Sequence, residues 1–558
     1  MVNSNKRSSS WSACWAKASS SSSSTTLLLL MIPLIVISGF VSVLGPKSSN
    51  WVFVANYTTW IWSSPSPGSL KVSSVISPPS DGALGLRSNL VVVDILNKKI
   101  DVEEAISDES LLNRSSSPPL HVEAVSQSSQ EANVTKENSF NNILPNSSEP
   151  RIIVVSWNES QNPPIVKARR QREYTNLERL EGHLMRARSV ISEAKTGNQT
   201  QDAEYTPVGP MYWNAKAFHR SYLEMEKQFK VFVYEEGEPP LFHNGPCKSI
   251  YSMEGNFIHE IEMNSQFRTR DPQKAHVFFL PFSVTMLVRY VYVRDSHDFG
   301  PIRQTVIDYV DVVSGRYPFW NRSLGADHFM LSCHDWGPET SSSVPNLRKN
   351  SIRVLCNANT SEGFNPTKDV SFPEINLLTG ATEGFLGGPS ASKRPILAFF
   401  AGGLHGPIRP LLLEHWENKD EDMKIQQYLP KGVSYYDMLR KSKYCICPSG
   451  YEVASPRIVE AIYTGCVPVL ISDHYVPPFS DVLNWKSFSV EVPVSEIPNL
   501  KRILMSISPR QYIRMQRRVL KVRRHFEVNS PPKRFDVFHM ILHSVWLRRL
   551  NIRVPEDQ

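Results

Sequence analysis

The densest collection of residues able to do chemistry lies in CPSGYEVASPRIVEAIYTGCVPVLISDHYVPPFSDVLNW, residues 447–485. The apolar run KYCIC leads into a turn at Pro448, Ser449 and Gly450. Ser455 is a favourable N-cap, Pro456 suits the first helical position, and Gly465 supplies a C-terminal stop before the next apolar run, CVPVLIS. The pattern predicts a strand, a glycine loop, a helix and a second strand, with the loop opening toward the helix N-terminus. Such an end carries unpaired N–H groups and positive partial charge, and it favours phosphate. Arg457, in the first turn, can make forked bonds to a diphosphate. Glu460, three residues on and on the same face, can accept the hydroxyls of a ribose.

The elements that must position these groups can be read from the apolar runs on either side. KVFVYEE, AHVFFLPFS, HFMLSCHDW and SIRVLCNA form one series of expected buried strands, and RPILAFFAGG, KYCICPSG, CVPVLIS and FSVEVP form a second. Strands alternating with helical stretches of ten or more residues argue for parallel sheets covered on both faces. A stretch rich in Gly and Pro between the series, about residues 371–393, reads as a linker, which leaves two Rossmann-like halves facing a cleft.

The 558 residues do not all belong to that fold. Residues 27–44, LLLLMIPLIVISGFVSVL, are 18 residues without a charge, just enough to cross a bilayer, and Lys6, Arg7 and Lys17 precede them without an acid. A signal-anchor with a cytosolic N-terminus is expected, against the alternative of a cleaved signal peptide. Luminal placement fits eight Asn-x-Ser/Thr sequons, Asn56, Asn113, Asn133, Asn146, Asn158, Asn198, Asn321 and Asn359, all beyond the anchor. It fits six cysteines there as well, Cys247, Cys333, Cys356, Cys445, Cys447 and Cys466, an even set whose pairing the sequence leaves open. From residue 45 to about 205 the chain is rich in Ser, Pro and Asn and reads as a largely disordered stem. One exception is Leu177, Leu180, Leu184, Ala187 and Ile191, whose spacing predicts an amphipathic helix resting on the folded part.

The spacing of Glu452 and Glu460, followed by Gly465 and Pro468, resembles the donor-site signature of two-domain, GT-B-fold nucleotide-sugar glycosyltransferases. FKVFVYEE, SIYSMEGNF, DHFMLSCHDWGP, FFAGGLHGPIRPLL and YYDMLRKSKYCICPSGYEVASPRIVEAI together resemble the exostosin-type glycosyltransferases, particularly plant cell-wall members, over almost all of residues 205–548. The resemblance implies a Golgi type II enzyme that moves a sugar from a nucleotide donor, expected to be UDP-linked, to a pectin or hemicellulose chain with inversion. It divides the chain into a cytosolic tail (1–26), the anchor (27–44), the stem (45–205), an acceptor-side domain (206–385), a nucleotide-sugar domain (386–505) and C-terminal helices (506–558).

In such a site fixed donors must stabilise the leaving diphosphate. The turn holding Gly402, Gly403, His405 and Gly406 could provide them with Arg409, Ser449, Gly450 and Arg457, and no metal is required. The Asp-x-Asp at Asp420 and Asp422 sits in the charged stretch WENKDEDMK and reads as a solvated loop. An acceptor base is expected at His334 or Asp335, with Glu254 and Glu452 in reserve. Residues 501–553 carry 14 Lys or Arg and two acids within a chain of net charge +7, which suggests an acidic acceptor such as a pectic chain. Nucleic acid is not an expected partner of a luminal protein, whereas complexes with other glycosyltransferases are. The alternatives are a non-catalytic GT-B-fold partner, whose donor residues would be eroded, and a hydrolase with two flanking carboxylates.

Overall fold

The structure is a computed structural model, and it describes residues 174–555. The expected anchor at 27–44, its cytosolic tail, the stem up to residue 173 and the sequons at Asn56, Asn113, Asn133, Asn146 and Asn158 lie outside the described residues. Among the described residues no helix is long and apolar enough to cross a membrane. All described residues fall in one compact unit of the chain.

Two parallel sheets organise it. In the first, β1 (Val231–Val233), β2 (Arg268–Thr269), β3 (Val277–Phe279), β4 (His328–Ser332), β5 (Ile352–Leu355) and β6 (Val370–Ser371) lie in the order β2-β1-β3-β4-β5-β6. In the second, β7 (Ile396–Ala401), β8 (Met423–Gln426), β9 (Ser442–Pro448), β10 (Val467–Ile471) and β11 (Val490–Glu491) lie in the order β11-β10-β9-β7-β8. Every residue of β1, β3, β4, β5 and β10 is buried, which is why these strands read as unbroken apolar runs rather than alternating ones.

Six helices frame the site and its surroundings: α1 (Asn176–Ala194), α2 (Ala215–Gln228), α3 (Ser252–Met263), α4 (Arg457–Thr464), α5 (Pro509–Val522) and α6 (Val537–Leu550). The amphipathic helix expected within the stem is α1. It starts with a capping box in which the Thr175 hydroxyl accepts from the Glu178 amide and Glu178 accepts from the Thr175 amide. Leu180, Leu184 and Ala187 bury its apolar stripe in the same core cluster as α2 and α6, so the folded unit begins well before Tyr205. Each such leucine contributes about 1.5–3 kcal/mol by leaving water.

The expected linker at 371–393 is not a loose tether. Phe372, Ile375 and Leu377 are fully buried, and Ser249 and Tyr251 pair with Leu377 and Ile375 as isolated bridges. The segment acts as a wall of the seam between the two halves.

Three cationic side chains of the C-terminal region work as staples. Arg548 donates to the carbonyls of Pro366 and Asp369 and pairs with Asp481 at 2.6 Å, and Arg549, 1% exposed, donates to the His276 carbonyl. Arg534 binds Asp202 and Glu226. The basic helix α5 packs beside Gly465 through Gln516 and Leu520, at the C-terminal end of α4. The Tyr512 ring packs tilted against Tyr444 near the start of β9, with centroids 5.4 Å apart. Arg514, Arg517 and Lys521 are exposed on α5, which packs at the C-terminal end of α4, whereas Arg457 stands at the other end of α4.

Candidate functional site

In a parallel sheet the loops that follow the strands gather on one side, and here the two gathered sets meet. Ala358 accepts from the Val476 amide, Ser371 donates to the Val476 carbonyl, and Asn357, two residues after β5, donates to Glu452, beyond β9, at 2.7 Å. The disulfide Cys333–Cys356 fastens the exits of β4 and β5, with Cα atoms 4.6 Å apart, directly beside His334, Asp335 and Asn357. Cys445–Cys466 ties β9 to the residue before β10. Cys447 stays a buried thiol, so the even set of six does not pair fully, and burial pushes this thiol up to about 12.

On the second sheet's side of the seam, two arginines stand close together. Arg457 donates to the Ala401 carbonyl at 3.1 Å and lies over the Phe400 ring at 5.4 Å. Arg409, 7% exposed, has only a long 3.5 Å contact from Nη1 to the Gly403 carbonyl. The Nε atoms of both are buried without a partner, and among the described residues no carboxylate lies within ion-pair distance of either. Burial and the neighbouring Arg457 lower Arg409 to about 10. Two partly desolvated cations that repel each other, with Glu374 and Glu460 near enough to be felt but outside ion-pair distance, make an anion site.

Glycine makes this geometry possible. A Cβ on Gly402 would come within 2.4 Å of Arg457 Nη2. Gly406 has φ +68°, and a Cβ there would meet the Gly450 carbonyl at 1.8 Å, so the loops after β7 and β9 touch only because neither has a side chain at the contact. His405 is exposed and lies 5.3 Å from Tyr451 at the rim.

Other expected donor-site details change. Ser455 makes no capping bond: the helix starts at Arg457 with Pro456 as N-cap, and the Ser455 hydroxyl is buried without a partner. The Ser449 amide donates to Ile471, its hydroxyl to Ser472 at 2.6 Å, and the Gly450 amide to Glu452, so these loop groups are committed within the protein. Glu460 is 7% exposed and accepts from Tyr435 at 2.9 Å and, at 3.5 Å, from Tyr436, with Asn376 as a third donor. It anchors the wall segment to the donor side rather than waiting open for a ribose, and burial raises its pKa.

The first sheet's side is acidic. Glu254, fully buried in α3, accepts from the Ser283 hydroxyl, the Thr285 amide at 3.0 Å, the Ser332 hydroxyl at 3.1 Å, and the Cys333 and His334 amides at 2.9 and 3.0 Å. Five donors saturate it, so Glu254 is the clamp that shapes the β4 exit and not a base. His334 accepts the Trp336 amide on Nδ1 at 3.1 Å and sits 4.7 Å from the Tyr251 ring, with burial lowering its pKa. That bond ties up the imidazole lone pair, which removes it from proton abstraction.

Asp335 keeps its carboxylate in the seam, where Tyr251 donates to it, and burial raises its pKa. Its charge is felt by two further carboxyls. One is Glu374, 6% exposed on the wall segment, which the sequence did not single out; burial, Asp335 and Glu460 push it well above the usual range, against the pull of Arg457 and Arg409. Only its FPEIN context could have marked it, as a carboxylate inside an apolar run. The other is Glu452, which burial and the neighbouring Glu362 raise to about 7.

Glu452 therefore couples stability to pH. Its carboxyl keeps its proton to a higher pH in the folded chain than in the unfolded one, so stability is lost as pH rises between the ordinary carboxylate range and about 7. Glu452→Gln should gain ~1 kcal/mol at pH 8, allowing for its part exposure, and nothing at pH 4. Thermal melts at the two pH values check it, and equal shifts at both would refute the coupling.

Two sequence expectations outside the seam also resolve. Asp420 and Asp422 are held by Lys501 at 2.6 and 2.9 Å on the surface, and among the described residues no cluster of three or more His, Cys, Asp or Glu is arranged to hold a metal. Asn198 and Asn321 are exposed, but Asn359 is 8% exposed, donates to Glu362 at 3.1 Å and accepts from Ser361, so its amide is committed to the β5 exit and is a poor carrier of a glycan.

Comparison with known proteins matches residues 225–507 to the exostosin GT47 domain. The chain is 68% identical over 404 residues to "Probable glycosyltransferase At5g03795" of Arabidopsis thaliana, covering 72% of this chain and 78% of that one. It is 27% identical to "Probable beta-1,4-xylosyltransferase IRX10" of the same plant, covering 59% and 84%. It is also 27% identical to "Probable glucuronosyltransferase Os01g0926400" of rice, Oryza sativa subsp. japonica, covering 57% and 80%. Among solved structures, "Crystal Structure of TarM" aligns at TM-score 0.19 and 9% identity over 35% of this chain and 51% of that one, too slight a likeness to support an argument.

Proposed function

The chain belongs to the exostosin GT47 family and is a glycosyltransferase, and from that premise we propose that it transfers a sugar from a UDP-linked donor to a cell-wall polysaccharide, pectin or hemicellulose. The observation that carries the reading is the Arg409–Arg457 pair, one guanidinium buried and the other half-buried, neither with a carboxylate within ion-pair distance, at the exits of a parallel sheet. They meet the charge that builds on a departing diphosphate, in a place where water competes weakly. Asp335, at the β4 exit on the first sheet's side, takes the proton of the acceptor hydroxyl as that oxygen attacks the anomeric carbon. The bond to the diphosphate breaks on the opposite face, which inverts the centre.

The two sheets with a site at their facing exits support a GT-B-like arrangement. Two disulfides fit an oxidising lumen, and with the apolar run at 27–44 they support a type II protein of the Golgi membrane. A non-catalytic glycan-binding partner is the weaker reading, because it would have no use for an unpaired arginine couple.

Hydrolysis of a panel of nucleotide sugars by the purified chain tests the function and identifies the donor. Arg457→Ala should weaken binding of that donor by about ten- to a hundredfold, the worth of a charged hydrogen bond, with the melting curve little changed. Donor affinity unchanged in both Arg457→Ala and Arg409→Ala would move the site elsewhere.

A further inference from the structure

A cavity of about 560 Å³ opens away from the seam, between α1, α2, α6 and the loops at Thr367 and Asp481, and shares no residue with the donor and acceptor groups of the seam. Its size is that of a small-molecule site. Two buried polar atoms among its lining residues have no partner: Asp481 Oδ1 and Nδ1 of His543, a side chain that is fully buried. The other carboxylate oxygen of Asp481 is held by Arg548 at 2.6 Å, and the other ring nitrogen of His543 by the Ser221 hydroxyl at 2.9 Å, so both groups are fixed in place. Burial keeps His543 neutral, at about 4. At the rim stands Trp213, 59% exposed, its indole N–H pinned to the Ser480 carbonyl at 2.8 Å. The ring is thereby held as an open platform.

These features select a ligand class. A small inorganic anion would face the spare oxygen of Asp481, whereas an acidic sugar ring can turn its carboxylate toward Arg188 or Lys195, which also line the cavity. A purely apolar molecule would leave both polar atoms orphaned, at about 1–3 kcal/mol each. A hydroxyl both donates and accepts, so it satisfies a carboxylate oxygen and a neutral imidazole nitrogen in either tautomer. A pyranose ring also has a C–H face that lies flat on an indole. We propose that the cavity is a second carbohydrate site, which holds a short run of the acceptor chain with one ring on Trp213 and its hydroxyls paired to Asp481 and His543. The ligand class rests on the proposed function, while the location and contacts stand apart from it.

Calorimetry on the full chain with hexamers of 1,4-linked xylose, galactose and galacturonic acid tests the proposal. At least one hexamer should bind, and Trp213→Ala should remove one class of binding or weaken it by about tenfold. Ala217→Leu, which fills the cavity from α2, should do the same. Neither variant should alter the rate of donor hydrolysis, which is also the control for folding. Failure of all three hexamers to bind, or unchanged binding in both variants, would overturn the site. Failure of the proposed function would look different, as absent donor hydrolysis in a wild-type chain that still binds a hexamer.

Discussion

Asp335→Asn is expected to slow sugar transfer by about a hundredfold to ten-thousandfold, the usual worth of a general base, with donor affinity unchanged within about twofold. The asparagine keeps the shape of the side chain and still accepts from Tyr251, but it has no basic lone pair for the acceptor proton. Of the carboxyls in the seam, Asp335 is the one at a strand exit fastened on both sides, by the Cys333–Cys356 bridge and by the Asn357 amide, which donates to its carbonyl at 3.3 Å. Steady-state rates with a saturating acceptor, together with donor binding by calorimetry, decide the matter. Wild-type turnover in the variant would hand the role to Glu374 or Glu452. The matched variant His334→Gln should lose far less, because its ring serves the loop through the Trp336 amide.

The second large effect is on the fold. Glu254→Ala strips the acceptor from five donors that two segments bring to one fully buried point, Ser283 with Thr285, and Ser332 with Cys333 and His334. Water has no access to replace it, so the cost is that of several orphaned buried groups, on the order of 3–5 kcal/mol. A fall in melting temperature of about 5–10 °C is expected for a domain of this size. Because the same carboxylate shapes the β4 exit, the fraction that folds should also turn over slowly while binding donor normally. A stability within about 0.5 kcal/mol of wild type would show that these bonds re-form elsewhere.

Most of the strands that the sequence revealed are buried on both faces, the exception being the edge strand β11, read from FSVEVP although Val490 is half-buried and Glu491 exposed. β1, β3, β4, β5, β7, β9 and β10 each announce themselves as a short apolar run, because a sheet covered on both sides demands nothing else. The edge strands β2 and β6, two residues each, are too short to carry a pattern, and β8 alternates buried and half-buried positions inside a stretch that reads as a charged loop. Gly465 is legible as a helix stop because its left-handed backbone, φ +71°, is a local demand. Ser455 departs from its expected capping role because the helix starts one residue later, with Pro456 as its N-cap, and the Ser455 hydroxyl is buried away from the helix amides, which is a tertiary fact.

The same division holds in the site. Residue types and spacing by themselves determined that an arginine would stand at the start of a helix after a glycine loop, and that an Asp would leave the β4 strand beside a cysteine. They also determined the family to which these motifs belong. Only the tertiary structure decided which of those groups are free to act. Glu254, His334, Ser449 and Glu460 have the right chemistry, but their lone pairs and donors are already engaged by partners as distant along the chain as Cys333 is from Glu254. Arg409, Arg457 and Asp335 remain available, and Glu374 joins them from a segment that composition marked as a linker. The physical reason is that each group has a limited set of lone pairs and N–H or O–H donors, and what the fold engages is no longer free to act. Which of them are engaged depends on what the fold brings within about 3 Å, which no local pattern records.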